Sequence, residues 1–349
     1  MSIHEKAAIA LSGGVDSAVA ALLLRRQGWD LQGVHLRLVP WSISEPWVRT
    51  LARHLDIPLK VVDLEKEFSR EVLDYFVSEY TRGRTPNPCV CCNATIKFGR
   101  LWDYLKQESY THLATGHYAL LQPDESGAPA LFRGVDRRKD QSYFLSRLPR
   151  GLLPNILFPL GDLTKDVVRR IYQETGLPRR ENQRESMELC FIPEGGYHDF
   201  LRARRGGAGP GGDFIDSQGR PLGRHRGLEC YTVGQRRGLG LPAREPYYVT
   251  EIHPQANLVG LGHRAELYSA GLLATQMNWL IDPPRDALEA VAVIRYRHPG
   301  VRSVITPRGA DAVKVEFALP QSAVAPGQAV VFYDGDRVLG GGWIEERIK

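Results

Sequence analysis

The stretch KAAIALSGGVDSAVAALLLRRQG, Lys6–Gly28, sets the fold. Lys6–Leu11 is a short apolar run of strand character, Ser12–Ser17 is small and polar, and the Ala, Val and Leu positions from Ala18 suit a buried helix with Gly28 as its C-terminal cap. Strand, tight loop and helix follow one another with no spare residues. A glycine pair in such a loop lets the backbone approach an anion, Ser12 and Ser17 add hydroxyls, and the helix start supplies oriented N–H groups and the positive end of its dipole. The stretch therefore predicts a phosphate cradle. It lacks the Gly-Lys-Ser/Thr ending that serves γ-phosphate hydrolysis, and Asp16 inside an anion site makes sense if Mg²⁺ bridges it to a pyrophosphate.

Outward from this stretch, LQGVHLRLV (31–39) and PLKVVDL (58–64) read as strands, with EPWVRTLARHLDI (45–57) between them as a helix carrying Val48, Leu51, Ala52 and Leu55 on one face. FSREVLDYFVSEY (68–80) and ATIKFGRLWDYLKQ (94–107) read as further helices, and YTHLATGH (110–117) as a strand with a polar tip. LTKDVVRRIYQETGLP (163–178) reads as a helix capped by Thr164 and closed by Gly176. Alternation of this kind predicts an α/β fold with a parallel sheet covered on both faces. After about residue 201 the texture changes to RARRGGAGPGGDFIDSQGRPLG, followed by short runs broken by turns. YYVTEIHPQANLVGLG (247–262), EAVAVIRYR (289–297), AVKVEFALP (312–320) and AVVFYDGDRVLGGGWIEERI (329–348) read as strands, the last with a hairpin across Asp334–Gly335. The C-terminal part is expected to be small β-domains.

Composition narrows the function classes. The 349 residues are 43% hydrophobic and carry 45 Lys and Arg against 40 Asp and Glu, a net charge of +5 that permits nucleic acid without implying it. No apolar run approaches a membrane span and no signal-peptide architecture precedes the first strand, so a cytoplasmic protein without a membrane partner is expected. In that reducing setting five cysteines read as free, metal-bound or catalytic thiols rather than as a disulfide framework. Three of them, Cys89, Cys91 and Cys92, fall in TPNPCVCCNATIKFG (85–99); Cys190 lies in ESMELCFIP and Cys230 stands apart.

SGGVDS resembles the PP-loop of ATP pyrophosphatases, which adenylylate a substrate oxygen and release pyrophosphate. SGGVDS, GRTPNPCVCCNATIKFG, ATGHYA, KDQSYFL, ESMELCFIP, GRHRGLECYTVGQRRGLG, RYRHPG and APGQAVVFYDGDRVLGGGWI also occur in the order found in tRNA-specific 2-thiouridylases, and together they span nearly the whole chain. The resemblance implies an adenine-nucleotide α-hydrolase-like PP-loop domain with a parallel sheet over 1–201, a small central β-rich tRNA-binding domain over 202–268 and a C-terminal β-barrel over 269–349. It implies a tRNA uridine 2-sulfurtransferase, which adenylylates the C2 oxygen of the wobble uridine and replaces it by sulfur. ATP and Mg²⁺ are the implied cofactors, the tRNA anticodon arm the implied substrate surface, and a cysteine desulfurase or sulfur-relay protein the implied donor.

The resemblance makes Cys92 the nucleophile and Cys190 the bearer of a persulfide, the two forming a disulfide after transfer. Ala10, Leu11, Ser12, Gly13, Gly14, Val15, Asp16 and Ser17 would bind ATP together with Leu36 and Gly116; Asn87, Pro88 and Cys89 would meet the target base. His117, Lys139, Asp140, Gln141, Arg295, Tyr296 and Gln328 would touch tRNA. Many members carry Asp where this chain has Cys89, so the acid or base role read at that position has no carboxylate here. The segment VPWSISEPWVRT (39–50) is shorter than the family's acidic stretch and should alter the rim of the nucleotide pocket. Cys89 and Cys92, spaced Cys-x-x-Cys on a loop, leave open an alternative in which they and Cys190 hold a 4Fe–4S cluster whose open iron carries sulfide. Two further classes remain: a PP-loop ligase using ammonia, and a non-catalytic, zinc-bearing RNA-binding module.

Overall fold

The structure is a computed structural model that describes residues 6–42, 44–178, 189–193, 196–242 and 244–349. The chain divides into two compact units, one of Met1–Val72, Cys89–Met187 and Gly335–Leu339, the other of Leu73–Pro88, Glu188–Asp334 and Gly340–Lys349.

In the first unit the opening stretch folds as its pattern predicts. Strand β1 (Lys6–Ala10) leads through the glycine loop into α1 (Val15–Arg26), and Gly28, at φ 86, turns the chain into β2 (Asp30–Arg37). Helix α2 (Glu45–His54) and strand β3 (Leu59–Asp63) follow. A helical run then comprises α3 (Glu65–Phe68), a π-helical segment Ser69–Leu73 and α4 (Asp74–Thr81), the last belonging to the second unit. A second run begins at α5 (Pro88–Cys92), widens to a π-helix over Asn93–Arg100 and ends as α6 (Leu101–Gln107). Strand β4 (His112–Ala114), a hairpin of β5 (Ala119–Pro123) and β6 (Pro129–Arg133), strand β7 (Ile156–Leu157) and helix α7 (Lys165–Glu174) complete the unit.

The sheet has the order β3-β2-β1-β4-β7, and every neighbouring pair is parallel. Ala7, Ala8 and Ile9 of the central β1 are fully buried, and the small face of α1, Ala18 to Ala21, packs in one core with Val48, Leu51 and Ala52 of α2 and Val168 and Tyr172 of α7. Because β1 lies between β2 and β4, the chain leaves its C-terminal end at a topological switch point, where open α/β sheets form a crevice. The Thr164 hydroxyl accepts from Val167 N at 3.4 Å and Gly176 adopts φ 66, so both ends of α7 match their sequence signals.

Two sequence readings change. The cysteine stretch is not a loop: Pro88–Cys92 is helical, and Pro88 can open the helix because its missing N–H would have had no intrahelical acceptor there. Both long helices also contain π segments. In the second, a Cβ at Gly99 would lie 2.9 Å from Ala94 O, so a wide turn at this point needs glycine.

In the second unit helix α8 (Tyr197–Arg205) buries Phe200 and Leu201 and ends at Gly206 in the left-handed region. Strands β8 (Gly212–Ile215), β9 (Pro221–His225), β10 (Tyr248–His253) and β11 (Leu258–Gly262) form a sheet of order β10-β11-β8-β9 over a core of Phe214, Tyr231, Val249, Val259 and Leu261. Strands β12 (Tyr268–Trp279), β13 (Leu288–Val293), β14 (Val301–Arg308), β15 (Ala312–Ser322), β16 (Ala329–Asp334) and β17 (Arg337–Ile348) run in the order β12-β15-β14-β13-β16-β17, and pairing of β12 with β17 closes a six-stranded barrel. The expected turn at Asp334–Gly335 is present, with Gly335 at φ 53.

Candidate active site

Ala10 to Ser17 occupy the switch point. Gly13 takes φ 86, and Gly14 is the extended N-cap of α1 with no side chain capping the helix. The first N–H groups of α1 are thus left for a ligand or solvent. The Ser17 hydroxyl donates to Gly14 O at 3.0 Å and receives Ser12 N at 3.3 Å, while Gly14 N donates to the Ser12 hydroxyl at 3.3 Å. Gly116, just beyond β4, closes against the helix start: a Cβ there would stand 2.9 Å from Asp16 C and Ser17 N. Leu36, beside Val62 of β3, lies toward the C-terminal end of β2. The fold therefore gathers every residue expected to bind ATP around one end of the sheet.

Trp47 and His35 support this loop, and neither was singled out from sequence. Trp47 Nε1 donates to Gly13 O at 2.8 Å, and its Cδ1 lies where a Cβ on Gly13 would come within 2.8 Å. The 39–50 segment thus supplies a ring to the loop's rim. His35 Nδ1 lies 2.9 Å from Leu11 O and its Nε2 lies 3.3 Å from the Ser44 hydroxyl.

Asp16 is held more firmly than its place in an anion site suggests. Lys165 Nζ lies 2.7 and 2.8 Å from its two oxygens, and Tyr118 OH donates to Oδ1 at 2.6 Å. Both partners are buried. Lys165 is itself fixed through its backbone N–H, which donates to Asp136 Oδ2 at 3.0 Å. Burial tends to raise the Asp136 pKa, but this bond from Lys165, the largest influence on it, keeps the carboxyl below the usual range. The loop suits pyrophosphate and Asp16 is a hard oxygen donor, so the residues fit ATP with Mg²⁺. A lysine in the first turn of a helix opposes the dipole, and that was the signal in LTKDVV that could have marked Lys165.

The cysteines separate by environment. Cys89 and Cys190 are exposed, Cys91 is half-buried, and Cys92 and Cys230 are buried. Cys91 Sγ donates to Glu71 O at 3.3 Å. Beside Cys92, Asn93 Nδ2 donates to Phe144 O at 3.0 Å, while Asn93 Oδ1 is buried without a partner. Cys190 belongs to the second unit, and its neighbour Phe191 packs its ring on Phe76 at 5.2 Å and on Phe200 at 5.5 Å. Part of the ESMEL motif before it lies outside the described residues. Among the described residues no group of three His, Cys, Asp or Glu side chains is placed to hold a metal ion.

The residues expected to meet RNA are not one kind of surface. Asn87 and Pro88 are buried in the segment leading to α5. Asn87 Nδ2 donates to Gln328 Oε1 at 3.4 Å and Gln328 Nε2 donates to Pro86 O at 3.3 Å, so Gln328 steadies this segment. Arg84, which the sequence reading passed over, anchors the same segment: its Nε lies 2.8 Å from Glu79 and its Nη1 2.9 Å from Glu345. His117 Nδ1 lies 2.6 Å from the Thr115 hydroxyl, and burial, with Lys97 nearby, keeps the imidazole neutral, its pKa well below the ordinary value. Asp140 is buried and accepts from Gly134 N, Ser142 N and the Ser142 hydroxyl, whereas Gln141 Oε1 accepts from Tyr118 N at 3.0 Å. Lys139 N donates to Asp136 O at 2.9 Å. Arg295 Nη1 donates to Ser322 O at 3.1 Å, and Tyr296 carries Arg297 over its ring at 5.4 Å.

Three family profiles match successive parts of the chain. A family profile described as a tRNA methyl transferase HUP domain matches residues 5–194, one described as a tRNA methyl transferase PRC-barrel domain matches 198–263, and one described as an aminomethyltransferase beta-barrel domain matches 269–344. The chain is 44% identical to the protein named tRNA-specific 2-thiouridylase MnmA of Carboxydothermus hydrogenoformans, with 99% of each chain covered. It is 42% identical to the protein of that name from Geotalea uraniireducens, over 99% of this chain and 96% of the other. Identity to the Geobacter metallireducens protein of the same name is also 42%, over 98% of this chain and 97% of the other. No helix among the described residues is long and apolar enough to cross a membrane. The profile names speak of methyl transfer, but these three relatives, matched from end to end, are named thiouridylases, and the chain belongs to the tRNA-specific 2-thiouridylase family.

Proposed function

We propose that this protein is a tRNA uridine 2-sulfurtransferase that activates the C2 oxygen of the wobble uridine with ATP and replaces it by sulfur. The observation that carries the reading is the cradle at the switch point. Gly13, Gly14 and the uncapped start of α1 form an anion site, and the loop lacks the lysine that would serve γ-phosphate hydrolysis. Binding ATP there, with Mg²⁺ at Asp16, favours pyrophosphate as the leaving group, and adenylylation makes the uridine oxygen a good leaving group in turn. Cys190 receives sulfane sulfur from a cysteine desulfurase or a relay protein, and its exposure suits that delivery. Cys92 acts as the nucleophilic thiolate that frees the product.

Asn87, Pro88 and Cys89 receive the target base on this reading. A rigid, buried Asn-Pro pair at a helix start suits a flipped base that must be held in a shaped pocket. Arg295, Tyr296, Lys139 and their neighbours grip the anticodon arm, so that 1–201 carries catalysis and part of the RNA contact, 202–268 is a tRNA-binding domain and Arg295, Tyr296 and Gln328 add contacts from 269–349. A cytoplasmic location suits an enzyme acting on tRNA. The persulfide route leaves Cys89 outside the sulfur chemistry and needs no 4Fe–4S cluster.

Exchange of labelled pyrophosphate into ATP tests this assignment against the other classes. Exchange that requires tRNA is the expected result. Exchange supported by ammonia without tRNA would indicate an amide-forming ligase, and absence of exchange would indicate a binding module.

A further inference from the structure

The carboxylate expected to carry the metal is already engaged. Lys165 Nζ lies 2.7 and 2.8 Å from the Asp16 oxygens, and Tyr118 OH donates to one of them at 2.6 Å. Lys165 is 7% and Tyr118 3% exposed, so water can do little to stabilise either the ammonium or a rearranged phenol. A divalent cation arriving alone must compete with an ammonium for Asp16. A nucleotide arriving alone must bring phosphate oxygens toward a carboxylate that repels them. When both arrive, the metal takes Asp16 while the displaced ammonium gains phosphate as its new anion.

We propose that Lys165 is a positioning residue that makes metal and nucleotide bind as a pair, by masking Asp16 in the nucleotide-free protein and turning to phosphate once the metal claims that carboxylate. The proposal rests on the reading of Ser12–Ser17 as an ATP site. Its geometry is independent of tRNA and sulfur. Thr164 and Asp136 give the arrangement its fixed pivot: the hydroxyl of Thr164 caps α7, and Asp136 Oδ2 holds Lys165 N at 3.0 Å, so the side chain can swing while its backbone stays in place.

The test is titration of Mn²⁺ followed by electron paramagnetic resonance, with and without a non-hydrolysable ATP analogue, on the full chain and on Lys165→Met and Lys165→Arg. In the wild type the analogue should tighten Mn²⁺ binding by about tenfold or more. Lys165→Met should bind Mn²⁺ about tenfold more tightly than wild type when nucleotide is absent, yet bind the Mn²⁺–analogue pair more weakly. Lys165→Arg should keep the wild-type pattern. A merely structural lysine would weaken both affinities together. Nucleotide-free Mn²⁺ affinity in Lys165→Met equal to or below that of wild type would overturn the proposal. Should the Met variant not fold, Lys165→Gln is read by the same criterion. Opposite shifts in these affinities, combined with no tRNA-dependent pyrophosphate exchange in the wild type, would sink the thiouridylase reading and leave this coupling standing.

Discussion

Cys91 and Cys92 are neighbours on one helical turn, yet their chemistry diverges through what surrounds each sulfur. Burial pushes the Cys91 pKa up to about 11, outweighing the lowering influence of the Thr95 hydroxyl and Arg147, so at neutral pH it is a thiol bonded to Glu71 O. Since its folded pKa lies above the ordinary thiol value of 9.0, its contribution to stability is intact below about pH 9 and is lost as the pH rises toward about 11. We expect iodoacetamide at about pH 8 to label Cys89 and Cys190 first and Cys91 last, as read by peptide mass spectrometry. Fast labelling of Cys91 would contradict that environment. Cys91→Ser should keep thiolation, whereas Cys92→Ser and Cys190→Ser should each abolish it and leave binding of the ATP analogue unchanged. Full activity in Cys190→Ser would remove the persulfide role.

At the scale of elements, the helical run from Pro88 to Gln107 places Cys92 immediately before a widened π segment, and Gly99 makes that widening possible. A methyl group at Gly99 would press on Ala94 O, so Gly99→Ala should cost about 1–3 kcal/mol and reduce thiolation through a displaced Cys92. Thermal melting and turnover check this together; a variant as stable and active as wild type would show that the wide turn is dispensable. Arg84 is the matching support on the other side of the Asn87–Pro88 segment. Arg84→Met loses the bonds to Glu79 and Glu345 and should cost about 2 kcal/mol while raising the KM for tRNA more than that for ATP. Capped elements were legible in the sequence because Gly28, Thr164 and Gly176 act within a turn of their own helix. The helix over CVCC was not, since Pro86 and Pro88 read as breakers although Pro88 only opens it. The β5–β6 hairpin escaped notice although Ser126-Gly127 marked its turn: Gly127 takes φ 82, and Asp124 accepts from Ser126 N and Ala128 N.

For the whole molecule, charge and protonation set the conditions of activity. His117, His198 and His298 all have pKa values lowered chiefly by burial, so their neutral forms belong to the folded state. The unfolded chain binds more protons below about pH 6.5, and stability should therefore fall as the pH drops through that value, with His117→Asn flattening the slope in a melting series. With a net charge of +5, tRNA affinity should decline steeply with salt, and Arg295→Glu should weaken tRNA binding more than pyrophosphate exchange. The glycine loop between β1 and α1 was legible because its residues lie in one contiguous stretch. Lys165 was not, because it meets Asp16 from 149 residues away, a pairing that only the tertiary fold produces. The residues expected to meet RNA came from family resemblance, and in the structure Asp140 and Gln328 hold their own chain in place. The central claim, sulfur transfer to a tRNA uridine, is tested most directly by mass spectrometry of nucleosides from unmodified tRNA incubated with the protein, ATP, Mg²⁺ and a persulfide donor. The account predicts 2-thiouridine at the wobble position, formed only when ATP and both Cys92 and Cys190 are present; tRNA that remains without 2-thiouridine under every donor condition would contradict it.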